Sequence, residues 1–311
     1  MNCHLGLRLA LSLATGIFVA SLPGFESASA APSEHPPEIE GADVHTYKSI
    51  DDVDLKLWVF RPDDGSAGDR RPAIVFFFGG GWSHGTPNQF VPQARYLASR
   101  GMVAAVADYR VASRHGVKAV ECVRDAKSAV RWIRSQADEL GVDPDRIVAA
   151  GGSAGGHIAA CTGTVKGYDE PDEDASVSSR PNAMVLFNPA ATLANMEGKT
   201  VMSEERLEKL RERVGTDLVE LSPAHHVDGT TPPAILLFGD QDRLLAGGRM
   251  FHEVMKASGR PSELKIYSGY DHGFFNPGRD GDKPYRMTLH AVDRFLESLG
   301  YLEGEPAIES E

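Results

Sequence analysis

The sequence predicts an α/β fold, a mostly parallel doubly wound sheet with a small inserted cap. Three observations carry that prediction. Apolar runs of strand length alternate with amphipathic stretches of helix length along residues 73–299. One run, Arg146-Ile147-Val148-Ala149-Ala150, leads straight into Gly151-Gly152-Ser153-Ala154-Gly155-Gly156 and a small-residue helix. Later runs end in polar turns, as expected where a site lies at the carboxyl ends of strands.

Taken in order, residues 1–30 read as a signal peptide. Arg8 supplies a weakly positive start, Leu9 to Leu22 are apolar, Pro23-Gly24 breaks the run, and Ala28-Ser29-Ala30 has the A-x-A form of a cleavage site. Cleavage after Ala30 and export, periplasmic or secreted, are expected, with no stable membrane insertion afterwards. The apolar run is shorter than the ~20 residues a membrane helix needs. Residues 31–42, rich in Pro and Glu, read as a linker. Val44 to Ile50 and Leu55 to Arg61 read as strands, with Asp51-Asp52 as their hairpin turn. Ala73 to Phe78 is continuously apolar, the pattern of a strand buried on both faces. Gln89 to Arg100 reads as a helix, Met102 to Ala107 as a strand, and Ala119 to Leu140 as a long helix closed by Gly141. Ala183 to Phe187 is a strand. Residues 190–231 carry no strand pattern and one charged helix, Glu204 to Val214, which predicts the inserted cap. Ala234 to Phe238 and Leu264 to Tyr267 read as strands, and Gly247 to Ser258 as a helix. Pro284 to Leu299 reads as a helix with Met287, His290, Ala291, Val292, Phe295 and Leu299 inward. The fold therefore spans residues 43–300, with 301–311 as a mobile tail.

Composition narrows the function classes. A chain of 311 residues, 41% hydrophobic and 24% charged, has material for a full core, so disorder is not the default. Net charge is −12 and no basic patch is visible, which argues against a nucleic-acid partner. Cys3 departs with the signal peptide; Cys122 and Cys161 lie in apolar helical contexts, where either a disulfide or buried thiols would fit. No cofactor motif and no metal-ligand spacing is present.

The chemistry sits at strand ends. A serine flanked by glycines between strand and helix is the G-x-S-x-G nucleophile elbow. Small residues two before and two after Ser153 are required because strand and helix nearly collide there. Gly239-Asp240-Gln241-Asp242 and Gly269-Tyr270-Asp271-His272-Gly273-Phe274 follow the last two strands. The order Ser153, aspartate, His272 suits a general base taking the serine proton, with an aspartate holding the imidazole. Asp242 is favoured over Asp240 because the longer loop returns its side chain toward His272. Gly79-Gly80-Gly81-Trp82 follows the Phe-rich strand; backbone N–H groups of Gly80, Gly81 and Ala154 would bind an oxyanion. Trp82 and Phe274 border the expected pocket, as substrate-binding walls or as core aromatics. His157, one helical turn from Ser153, reads as a hydrogen-bonded helix residue, and His225-His226 as pocket-lining.

The stretches FFFGGGW, ADYR, ECVRDAKSAVRWIR, DPDRIVAAGGSAGGHIAA, SPAHHV, PPAILLFGDQD and YDHGF run in order over most of residues 70–299. In them the chain resembles α/β-hydrolases of the hormone-sensitive-lipase-like group, especially its carbohydrate-esterase-like branch with acetyl xylan and feruloyl esterases. The resemblance implies the α/β-hydrolase fold, Ser153, Asp242 and His272 as the triad, and Gly80, Gly81 and Ala154 as oxyanion donors. Phe78 stands where the lipase-like group usually has histidine, and Ala112-Ser113-Arg114-His115 replaces an acidic-proline stretch. The expectation is an exported serine carboxylester hydrolase acting on short-chain acyl esters, with a small-molecule or carbohydrate ester such as an acetylated sugar as substrate. A serine peptidase on the same fold and a non-catalytic binding module are the alternatives.

Overall fold

Residue 1 and residues 35–62, 70–196 and 198–309 are described in the computed structural model. The expected signal peptide, Met1 apart, lies outside the described residues. From His35 onward the chain forms one unit. Its elements are strands β1 (Asp43–Ile50), β2 (Val53–Phe60) and β3 (Arg71–Phe77), helix α1 (Val91–Ser99), β4 (Val103–Ala107), and helices α2 (Ala112–His115), α3 (Ala119–Ser135) and α4 (Ala137–Leu140). There follow β5 (Val142–Gly152), α5 (Ala154–Thr164), β6 (Ala183–Phe187), α6 (Glu204–Val214), β7 (Ala234–Gly239), α7 (Leu245–Ala257), β8 (Ser262–Tyr267) and α8 (Lys283–Ser298).

The eight strands form one sheet in the order β1-β2-β4-β3-β5-β6-β7-β8. The hairpin partners β1 and β2 are antiparallel, β2 pairs antiparallel with β4, and every pair from β4 to β8 is parallel. Successive side chains of β3 enter opposite cores: Ala73, Val75 and Phe77 on one face, Ile74 and Phe76 on the other. That two-sided burial is why the strand is apolar without alternation. Helices α3, α5 and α7 cover the first face, α1 and α8 the second.

Several expectations change in detail. The long helix breaks at Gln136, whose ψ is 18°, and the short α4 then buries Ala137 and Leu140 before Gly141 ends it at φ 67°. The strand β8 is an edge, half exposed along its length, with Ile266 at 37% exposure. On α8 the buried positions are Pro284, Thr288, Leu289, Val292, Asp293, Phe295 and Leu296, so Met287, His290, Ala291 and Leu299 lie at the margin. The inward turn follows from Asp293, a fully buried carboxylate that accepts hydrogen bonds from Tyr96 (2.5 Å) and Arg100 (2.8 Å) of the α1 side. The expected linker and tail are both anchored where described. Arg95 donates to the Glu40 carbonyl (2.5 Å), Leu302 is buried, and the Ala307 N–H donates to the Tyr96 hydroxyl (3.1 Å).

Candidate active site

Ser153 sits at the junction of β5 and α5 with φ 54° and ψ −115°, a conformation costly for a residue with a side chain. Its N–H donates to the Phe187 carbonyl (2.9 Å), which pins the elbow to β6. The neighbouring glycines have a steric reason. A Cβ at Gly155 would lie 2.0 Å from the Phe77 carbonyl oxygen, and one at Gly151 2.6 Å from Gly155 backbone atoms.

His272 Nε2 lies 2.8 Å from Ser153 Oγ, and His272 Nδ1 lies 2.8 Å from Asp242 Oδ2. The Asp242 carboxylate is fully buried and its other oxygen accepts the Leu244 N–H (2.8 Å). A buried carboxylate at Nδ1 holds the proton there, leaving Nε2 free to accept from Ser153. Asp240 faces away: it accepts the Gly269 N–H (2.8 Å) and the Ser268 hydroxyl (3.0 Å) and so clasps the turn.

Two cavities meet at Ser153. The smaller, about 220 Å³, is walled by Trp82, Ala190, Leu193, Met202, Leu210 and Leu244, with Ala154 at its base. The larger, about 390 Å³, is polar, lined by His84, Gln89, Asn188, His272 and Asn276, with Gly80 and Gly81 along its rim. Gly80 has φ 121° and a Cβ there would overlap the His84 carbonyl at 2.0 Å, so only glycine fits this turn. The backbone just ahead of it is braced from below, since the Tyr109 hydroxyl donates to the Phe78 carbonyl (2.7 Å) and the two rings stack at 4.1 Å. Phe78 thus serves as a stacking partner where the lipase-like group has histidine.

Trp82 is fixed by His157. The indole N–H donates to Nδ1 (3.2 Å), and Nε2 faces the Leu221 carbonyl at 2.8 Å. Burial pushes the His157 pKa down to about 4, so the ring is neutral and able to accept from the indole. Phe274 needs correcting. It is fully buried against Tyr267 (5.4 Å) and Tyr270 (5.6 Å) and lines neither cavity. The chain turns at the left-handed Gly273 (φ 79°), and Phe275, two residues on, forms a wall of the larger cavity instead, against Gly152. His225 and His226 line neither cavity; among the described residues no three His, Cys, Asp or Glu side chains gather as a metal site. Cys122 and Cys161 are buried free thiols.

Three polar residues escaped the sequence reading. Gln89 Oε1 accepts the Gly79 N–H (2.6 Å), and its Nε2 donates to Asn276 (3.0 Å), joining the glycine turn to the His272 loop. Asn188 Oδ1 accepts the Gly273 N–H (3.0 Å), beside His272. Its Nδ2 has no hydrogen-bond partner among the described residues. The one sequence signal was Asn188 itself, a polar residue directly after an apolar strand.

Comparison with known proteins bears on this arrangement. Residues 59–248 match the BD-FAE family, and residues 219–300 match the dienelactone hydrolase family. The solved structure of Thermogutta terrifontis esterase 2 phosphonylated by sarin is 49% identical, covers 88% of this chain and all of that one, and superposes with a TM-score of 0.84. Carboxylesterase NlhH of Mycobacterium tuberculosis is 29% identical over 67% of this chain and 68% of its own length. An acetylxylan esterase of Xylanibacter ruminicola is 26% identical over 87% of this chain and 52% of its own. The chain spans about half the length of some curated relatives it matches.

Proposed function

The chain belongs to the BD-FAE family and is a serine esterase of the α/β-hydrolase fold; from that premise we propose that it hydrolyses short-chain acyl esters of hydroxyl-rich alcohols, acetylated sugars among them, through an acyl-enzyme on Ser153. The observation that carries the reading is the unbroken line from Ser153 Oγ to His272 Nε2 and from His272 Nδ1 to Asp242, both 2.8 Å, at the meeting point of the two cavities.

The mechanism follows from the geometry. His272 Nε2 takes the Ser153 proton as Oγ adds to the ester carbonyl, and Asp242 stabilises the imidazolium. The oxyanion is received by backbone N–H groups of Ala154, the first residue of α5, and of Gly80 and Gly81. His272 then protonates the departing alcohol, which places the alcohol on the His272 side, in the polar cavity. The acyl group stays on Ser153 in the smaller one, against its leucine and methionine wall. Water repeats the sequence to release the acid.

The acyl cavity is small and one of its walls, Trp82, is locked by His157, which favours short chains. Thermogutta terrifontis esterase 2 has been solved with propionate and with butyrate bound, in keeping with that size. The amide side chains of Gln89, Asn188 and Asn276 suit a hydroxylated alcohol, and one relative is an acetylxylan esterase. Export rests on residues 1–30; intact-mass analysis of the mature protein should find Ala31 as its first residue, and retention of residues 1–30 would overturn cleavage. For the catalytic reading, Ser153→Ala should lower turnover of p-nitrophenyl acetate by about 10⁴ or more. The sarin adduct of the relative suggests a second readout: paraoxon should add to Ser153 in the wild type, located by peptide mass. Full activity in the alanine variant sinks the assignment.

A further inference from the structure

Helix α6 sorts its charges by face. Arg206, Lys209 and Arg213 recur at spacings of three and four, so they share one side, and all three line the acyl cavity beside Leu210. Glu204, Glu205 and Glu208 are exposed and line neither cavity at Ser153. A fourth cation, Arg243, enters from the turn after β7 and lines both cavities.

These arginines lack counter-ions. Among the described residues, no carboxylate comes within 4 Å of the Arg206, Arg213 or Arg243 guanidinium. Arg213 instead lies over the Trp82 ring (5.4 Å) and donates to the Gly81 carbonyl. Arg206 is half-buried and donates to the Arg243 carbonyl (3.5 Å), while Arg213 and Arg243 are exposed; the Arg206 pKa is lowered by burial and then by the like charge of Arg243, with Asp242 opposing. The chain as a whole has 44 acidic against 32 basic residues. Like charges gathered at one cavity with no carboxylate at ion-pair distance give it a positive local field, in an otherwise acidic protein, and that field favours an anionic ligand.

We propose that the site takes esters whose acyl chain ends in a carboxylate, the hemi-esters of short dicarboxylic acids, with the distal carboxylate held by Arg206, Arg243 and Arg213. The apolar wall of Leu193, Leu210 and Leu244 covers the methylenes between the two ends. This rests on Ser153 being the nucleophile and on the acyl group occupying the smaller cavity. Bond changes are those of the parent reaction: Ser153 Oγ replaces the alkoxide, His272 passes its proton to the alcohol, and water releases the dicarboxylic acid. The distal carboxylate is bound and unchanged.

The test compares monomethyl glutarate with methyl pentanoate, two esters of similar length, by following acid release at neutral pH. The expected ratio of kcat/KM favours the hemi-ester at low ionic strength and falls as salt is added. Arg206→Gln and Arg243→Gln should each lower that ratio about tenfold, whatever they do to either rate alone. A ratio of one or below, or a ratio that both substitutions leave intact, overturns the proposal while the esterase reading stands, provided p-nitrophenyl acetate is still hydrolysed. If folded protein hydrolyses none of the three esters and paraoxon leaves Ser153 unmodified, the nucleophile reading falls and this proposal with it.

Discussion

At the scale of single residues, the site depends on what a missing Cβ allows. Gly155→Ala would place a methyl group 2.0 Å from the Phe77 carbonyl, and relief requires α5 to move away from β3. A loss of more than about 4 kcal/mol is expected, visible as failure to give soluble protein or as a collapsed thermal transition. Gln89→Leu should act differently. It frees the Gly79 N–H and Asn276 together, so kcat/KM for p-nitrophenyl acetate should fall about tenfold with circular dichroism unchanged. The contrast shows what the sequence makes legible. Ser153 and its glycines form a local pattern, since strand, turn and helix are consecutive. Asp242 and His272 could be picked out because each lies in a turn directly after a strand. Gln89, Asn188 and Asn276 act across separations of 10, 85 and 187 residues, and no local spacing marks them. Phe274 and Phe275 are adjacent aromatics. Which one faces the cavity depends on the left-handed turn at Gly273, a conformation that the residue type permits without dictating.

At the scale of elements, buried charge sets how helices attach to the sheet. The fully buried carboxylate of Asp125 on α3 binds Lys48 of β1 (2.7 Å) and the Arg110 guanidinium (2.7 Å), just past β4. Asp125→Ala would leave both cations to Glu170 alone, 2.9 Å from Lys48 and 3.8 Å from Arg110, and should destabilise the protein by about 3 kcal/mol, measured by urea unfolding. The same logic joins the ADYR and ECVRDAK stretches. Tyr109 props the glycine turn, and Arg110 meets Asp125. Element existence was readable because apolar runs and helical spacing are strong signals. The inner face of α8 was read askew because periodicity treats a charge as outward, whereas Asp293 is drawn inward by Tyr96 and Arg100. The helix α6 is legible from its charges, but that Arg206, Lys209 and Arg213 line a cavity emerges only from the structure.

At the scale of the whole molecule, His157 ties stability to pH. Its pKa in the folded state is lowered by burial to about 4, against an ordinary value of 6.5. The unfolded chain therefore takes up this proton first. Stability is complete above about 6.5 and declines as pH falls toward 4, by up to about 3 kcal/mol. Urea midpoints measured at pH 7 and pH 4.5 should separate more widely for the wild type than for His157→Gln. Equal separations would show that the ring takes up its proton in the folded protein. The strand order β1-β2-β4-β3-β5-β6-β7-β8 was beyond reach from sequence, since pairing across the sheet depends on crossovers that single segments do not record. That order has a consequence for biosynthesis. Ser153 leaves the central strand β5, while His272 lies 119 residues later, past the last strand to join the edge. A growing chain carries Ser153 long before it carries His272. Under the proposed mechanism, a chain truncated before His272 should hydrolyse no ester, because the base it needs has not yet been made.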